Sequence, residues 1–175
     1  MPLDNVHIGL LSDTHGHWDD RMSHHLSDCD ELWHAGDIGS LDVIDAMQKL
    51  VDRPARVVFG NIDSAIIRSE TKEMLLWKIQ GIQFMMLHIG GRPGRYAKGV
   101  RQLLNDHRPD VFICGHSHLL RIERDPSFGG LYCNPGAAGL HGFHRMRTML
   151  KFRVLRGELV DMRVIELGPR TKKMQ

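Results

Sequence analysis

Apolar residues along the chain fall into short runs, each closed by small or polar residues. Residues 6–11 read as a buried strand. The polar turn Ser12-Asp13-Thr14-His15-Gly16 follows, and a helix is expected over 19–26. A second strand over 31–34 ends in Ala35-Gly36-Asp37, and residues 41–50 carry apolar positions at helical spacing. A third strand over 55–59 closes on Gly60-Asn61-Ile62-Asp63. The runs 74–79 and 82–87, hinged at Gln80-Gly81, predict a hairpin whose second arm ends at His88. After a helix over 98–107, a strand over 111–114 runs into Gly115-His116-Ser117-His118. The remainder reads as all-β, with runs at 120–123, 131–133, 148–154 and 159–165 between Gly and Pro turns. No linker, internal repeat or low-complexity stretch interrupts this order.

The chain has 175 residues, 42% hydrophobic and 25% charged, the balance of a folded chain of one domain. The expectation is a single domain over 1–175 with a short basic tail over 169–175. Removing Arg170, Lys172 and Lys173 leaves 20 basic against 21 acidic residues. An extended basic groove for nucleic acid is therefore not expected, and neither is a membrane span, since no run reaches ~18 apolar residues. The N-terminus lacks the features of a secretory signal, which points to the cytoplasm. Three cysteines without a CxxC pair read as buried thiols rather than a disulfide or zinc framework.

Histidine is the outlier, with twelve copies. Asp13, Asp37 and Asn61 stand 24 residues apart, His88 follows 27 later and His116 another 28, each just past an expected strand. Crossover units of about 30 residues set parallel strand ends side by side, and open α/β sheets bind ligands at those carboxyl ends. Asp13, His15, Asp37, Asn61, His88, His116 and His118 would then meet in one crevice. Taken singly, each motif has a plainer reading: Asp13 as a helix cap, Gly36-Asp37 and Gly60-Asn61 as turns, the histidines as structural or solvated. Their joint order behind successive strands favours metal binding. The oxygen and imidazole donors suit borderline divalent ions, and seven ligands suit two ions if one carboxylate bridges. Such a pocket keeps net positive charge, attracts a phosphate ester, and activates a bridging water as hydroxide for in-line attack. Asn61 can ligate through its amide oxygen while its NH2 holds a substrate oxygen. His34 and Asp63 are candidate orienters of ligand imidazoles. His17, His141 and His144 read as loop residues near the mouth, and His24, His25 and His107 as helix surface.

The order Asp-x-His, Gly-Asp, Gly-Asn, His, Gly-His-x-His resembles the calcineurin-like metallophosphoesterase superfamily, and within it the small YfcE-type phosphodiesterases. Asn134-Pro135-Gly136 is similar to the turn after the last metal motif there. The resemblance implies an α/β fold of two mixed β-sheets packed as a sandwich flanked by helices. It implies one ion on Asp13, His15, Asp37 and His118, and a second on Asp37, Asn61, His88 and His116. Manganese is the first expectation, with zinc, nickel and iron(II) as alternatives. Asn61 and His88 are expected to serve catalysis as well as the ions. The substrate implied is a small phosphodiester, and relatives are often homo-oligomers. Two departures stand out: Ile62 occupies the position where many superfamily phosphatases carry a proton-donating histidine, and His88-Ile89-Gly90-Gly91 replaces the usual His-Gly.

Rival readings are a serine hydrolase, for which Leu119 stands where the strained turn needs glycine, and a phosphomonoesterase or nuclease with the same metals. A further rival is a non-catalytic protein-interaction scaffold of this fold, as in the retromer sorting subunit. The complete set of ligand types favours an enzyme.

Overall fold

A computed structural model describes residues 4–171, so Lys172 and Lys173 of the basic C-terminal stretch lie outside the described residues. The elements are β1 (Asn5–Leu11), α1 (Asp20–Leu26), β2 (Glu31–His34), α2 (Leu41–Gln48), β3 (Arg56–Val57), α3 (Ala65–Glu70), β4 (Met74–Ile79) and β5 (Ile82–Leu87). They continue with β6 (Gly91–Arg92), β7 (Arg95–Tyr96), α4 (Val100–His107), β8 (Val111–Ile113), β9 (Leu120–Asp125), β10 (Gly130–Pro135), β11 (Met146–Leu155) and β12 (Glu158–Pro169).

Two mixed five-stranded sheets form the frame, in orders β12-β11-β1-β2-β3 and β4-β5-β8-β10-β9. In the first, β1, β2 and β3 run parallel while β11 returns antiparallel on β1. In the second, β8 lies parallel to both β5 and β10, with β4 and β9 antiparallel at the edges. The sheets face each other across one core, to which β1 gives Val6, Ile8 and Leu10 and β11 gives Leu150, Phe152 and Val154. The opposite sheet supplies Ile82, Phe84, Met86, Val111, Ile113 and Cys133. Trp33 sits at the centre, edge-on to Trp77, Phe84 and Phe152 at 4.8 to 5.5 Å. Each such contact adds about 0.5–1.5 kcal/mol beyond area burial. The Trp33 indole N–H donates to Glu31 (3.0 Å), and Arg53 and Arg56 pair with that buried carboxylate.

The helices are short; α1, α2 and α3 begin on side-chain caps, and α4 begins on Gly99 without one. Asp19 accepts the Met22 N–H at 3.1 Å, and Met22 and Leu26, one turn apart, bury against the outer face of the first sheet. Ser40 and Ser64 cap α2 and α3 in the same way. No helix among the described residues is long and apolar enough to cross a membrane.

Two readings of the sequence are corrected here. The regular spacing of the candidate ligands does not reflect one parallel sheet, because β5 and β8 belong to the second sheet. The carboxyl ends of β1, β2 and β3 instead face those of β5 and β8 across the end of the sandwich. The third strand is also shorter than residues 55–59: β3 pairs over two residues and Val58 continues only as a bridge to Lys72.

Candidate metal centre

The loops that leave these strands turn sharply, and the turning residues are the candidate ligands themselves. Asp13, His15, Asp37, His116 and His118 all have φ between 48° and 68°, a left-handed conformation that non-glycine residues rarely adopt. Such strain costs on the order of 1–3 kcal/mol per residue and collects at functional sites. A glycine is required beside them at position 60, where a Cβ would lie 2.0 Å from the Asp37 carboxylate.

Two clusters result, Asp13 with His15 and His118, and Asp37 with His88 and His116. In the first, His118 Nε2 lies 3.0 Å and His15 Nε2 4.0 Å from Asp13 Oδ1. In the second, His88 Nε2 lies 3.2 Å from Asp37 Oδ1, and the His88 and His116 rings meet edge-on at 5.3 Å. Asp37 reaches both, since its Oδ2 lies 3.7 Å from His15 Nε2 of the first cluster. Asn61, exposed, lines one cavity of about 330 Å³ together with His15, Asp37, His116 and His118. Thus the structure brings all seven predicted ligands to one place.

The hydrogen bonds around the histidines leave lone pairs directed into this space. His88 Nδ1 lies 2.7 Å from the Ala35 carbonyl oxygen, which only accepts, so Nδ1 carries a proton and the neutral ring leaves Nε2 bare. His144 Nε2 lies 3.0 Å from the Gly139 carbonyl, so the bare Nδ1 of neutral His144 accepts from His118 Nδ1–H at 3.3 Å. That leaves His118 Nε2 bare, opposite a carboxylate oxygen. Asp13 Oδ1, His15 Nε2 and His88 Nε2 are buried without hydrogen-bond partners. Lone pairs facing one another in a buried site are costly unless a cation joins them, so the donor set fits divalent ions.

Electrostatics bind the carboxylates and imidazoles to one another, and in the absence of an ion a proton on His88 Nε2 is the competing cation. Burial works to raise the Asp13 and Asp37 carboxyls, but the His118, His88 and Ser12 contacts on Asp13, and His88, Ile62 N–H and His15 on Asp37, hold both below their ordinary value. Burial works to lower His88, and the Asp37 and Asp13 carboxylates overcome it and raise it above its ordinary value. Burial holds His15 and His144 below theirs, toward the neutral form a metal or a tautomer lock requires.

The remaining polar residues fix the loops. Asp13 Oδ2 accepts from Ser12 Oγ (2.6 Å) and His116 N–H (3.1 Å), tying the β1 loop to the β8 loop. His34 accepts from Gly36 N–H at 3.1 Å and its Nε2–H donates to Thr14 Oγ1 at 2.9 Å, while Thr14 donates to the Ile38 carbonyl. Asp63 accepts from the N–H groups of Ile38, Gly39 and Gly60. Their hydrogen bonds therefore go to loop backbone and Thr14, and the partners of the imidazoles are Ala35 and His144. Asn134 donates to the Gly115 carbonyl and to Ser117 Oγ, and accepts from Gly136 N–H.

His144 corrects the sequence reading: it is buried, not a solvated loop residue. His141 stacks obliquely on His15 at 4.8 Å between ring centroids, and His17 is tied to Asp19 at 3.2 Å. A histidine 26 residues beyond His118 carries no local signal of this contact. The cysteines are buried thiols, all raised to about 12 by burial.

A two-sheet sandwich carrying paired Asp/His clusters at its strand ends defines a metallophosphoesterase-type site. The model of the calcineurin-like phosphoesterase superfamily domain matches residues 6–156, and the chain belongs to that superfamily. A probable metallophosphoesterase of Methanothermobacter thermautotrophicus is 29% identical over 170 residues, covering 92% of each chain. Among solved structures, an archaeal phosphodiesterase superposes with a TM-score of 0.68 at 23% identity, covering 92% of this chain and 99% of that one. Zinc-bound Vps29 of Entamoeba histolytica reaches 0.66 at 16% identity, covering 91% and 98%. At these identities the two structures speak for the fold alone.

Proposed function

We propose that the protein is a dimetal-dependent phosphodiesterase acting on a small ester. One observation carries the reading: Asp37 turns one carboxylate oxygen to His88 and the other to His15, the position of a carboxylate shared between two ions. Asp13, His15, Asp37 and His118 would hold one ion, and Asp37, Asn61, His88 and His116 the other. Bound divalent ions supply Lewis acidity toward a phosphoryl group and lower the pKa of a coordinated water.

The chain's own residues do the rest. The Ala35 carbonyl and His144 keep the ligand imidazoles in the tautomers that offer Nε2. Asn61, on the cavity wall, would offer an amide N–H donor to a substrate oxygen. Ile62 (46% exposed), Leu119 (66%) and fully exposed Phe143 form an apolar lip on the same cavity. That lip suits an apolar or aryl leaving group, and Ile62 has no proton to donate to one. The complete donor set weighs against a non-catalytic scaffold.

The test is hydrolysis of bis(4-nitrophenyl) phosphate and 4-nitrophenyl phosphate by manganese-loaded protein. Faster turnover of the diester, abolished by chelator, is expected. Preference for the monoester would make the protein a phosphomonoesterase, and no turnover with manganese, zinc, nickel or iron(II) would favour the scaffold.

A further inference from the structure

Beside the metal centre, across His116 and Ser117, lies a second cavity of about 370 Å³ whose wall includes Arg92, Arg95 and Arg121 and no Asp or Glu. Arg92 and Arg95 come from the small hairpin β6–β7, whose turn is Pro93-Gly94, and the register sets them directly opposite one another. Like charges in that position destabilise a strand pair. Neither guanidinium has an ion pair or hydrogen bond among the described residues, whereas Arg121 is oriented by Glu123 at 2.8 Å.

The hairpin is nonetheless firmly seated. Tyr132 Oη–H donates to the Gly91 carbonyl at 2.7 Å, and Ala97 N–H donates to the Gly90 carbonyl at 3.0 Å. Gly91, the second glycine of the unusual His88-Ile89-Gly90-Gly91 segment, has a φ of 77°, and a Cβ there would lie 2.5 Å from Ala97 N. This departure in sequence therefore builds the wall that carries the arginines.

Both arginines are exposed, and the hairpin backbone that carries them is tied down beside a cavity that shares His116, Ser117 and Leu119 with the metal centre, so two unpaired guanidinium groups stand where an anion can reach them. The geometry points to Arg92, Arg95 and Arg121 as the site of a second phosphate group on the substrate, alongside the ester phosphate held at the metal centre. This rests on the phosphodiesterase reading and narrows it to esters with two phosphate groups. Guanidinium forks recognise a phosphate through paired N–H donors; no carboxylate lines the cavity, and Glu123, just outside the lining, is paired with Arg121, which leaves Arg92 and Arg95 as the main anion donors.

The experiment compares the 4-nitrophenyl ester of thymidine 5′-phosphate with the same ester carrying a 3′-phosphate, on metal-loaded protein. The 3′-phosphate is expected to raise kcat/KM at least about tenfold, mainly through KM, and the ratio should fall toward one in the double variant Arg92→Ala/Arg95→Ala. Equal hydrolysis of both esters by the unmodified protein would overturn the proposal. A second readout does not need turnover: in zinc-loaded protein, thymidine 3′,5′-bisphosphate should shift the Nε–H resonances of Arg92 and Arg95, and thymidine 5′-phosphate should do so far less. Those shifts without hydrolysis of either ester would retain the anion site and overturn the phosphodiesterase reading. Shifts with inorganic phosphate but equal hydrolysis of the two esters would mean that the arginines take a free anion, and the substrate assignment would fail.

Discussion

His118 and His144 meet Nδ1 to Nδ1 at 3.3 Å, and the Gly139 carbonyl on the far side of His144 decides which of them carries the shared proton. Since the carbonyl can only accept, the chain Gly139–His144–His118 ends with a bare Nε2 beside Asp13. The outer partner of a ligating histidine typically contributes 10- to 100-fold in metal affinity. His144→Ala should weaken the first ion by about that factor and the second much less. His144→Gln, whose amide oxygen can accept from His118 Nδ1–H, should recover part of the loss. Competition titration against a chromogenic chelator reads both, and equal affinities in all three proteins would remove His144 from the account.

His34 gives a pH dependence with a definite sign. Burial lowers it from 6.5 to about 4, and its nitrogens are committed to Gly36 N–H and Thr14. The unfolded chain therefore takes up the proton first. His34 contributes its full stability above pH 6.5 and loses it as pH falls toward 4. At 1.36 kcal/mol per unit the whole effect is about 3 kcal/mol. Urea unfolding should show His34→Gln less stable than the unmodified protein at pH 7, with the gap closing as pH falls through that window. A gap independent of pH would show that His34 is not held neutral.

Ile62 sits on the lip of the cavity with its backbone N–H on Asp37 Oδ1 at 3.1 Å. Its side chain cannot protonate a departing alkoxide, and general acid assistance is typically worth 10²- to 10⁴-fold. Rates across aryl and alkyl phosphodiesters should thus fall steeply as leaving-group pKa rises. Ile62→His should flatten the slope by accelerating the poor leaving groups. A shallow slope in the unmodified protein would mean that another group supplies the proton.

The parts legible in the sequence are those with local causes. The hairpin over Met74–Ile79 and Ile82–Leu87 follows from two apolar runs about Gln80-Gly81, and Glu31–His34 from a buried run closed by a turn. The convergence of the seven candidate ligands was legible because each follows a strand at a polar turn. Whether those strands shared one sheet was not, because spacing alone does not say that β5 and β8 pair with each other rather than with β3. Helix α3 has six residues with only Ile67 buried, and β6 and β7 have two residues each, so neither offers an apolar period to read. His144 and Asn134 act through the partners that the tertiary fold brings to them. His34 and Asp63 were legible as residues near the site, but their role is to brace loops: they bond backbone N–H groups that no pattern of side chains reveals.

The central claim is a pair of ions sharing Asp37, and the direct measurement is metal content at saturation together with turnover of bis(4-nitrophenyl) phosphate as manganese is titrated into stripped protein. The account predicts close to two ions per chain and turnover that rises with the second equivalent. It predicts loss of occupancy at both sites in Asp37→Ala, and at mainly one in His15→Ala. Saturation at a single ion, or undiminished occupancy in Asp37→Ala, would contradict it.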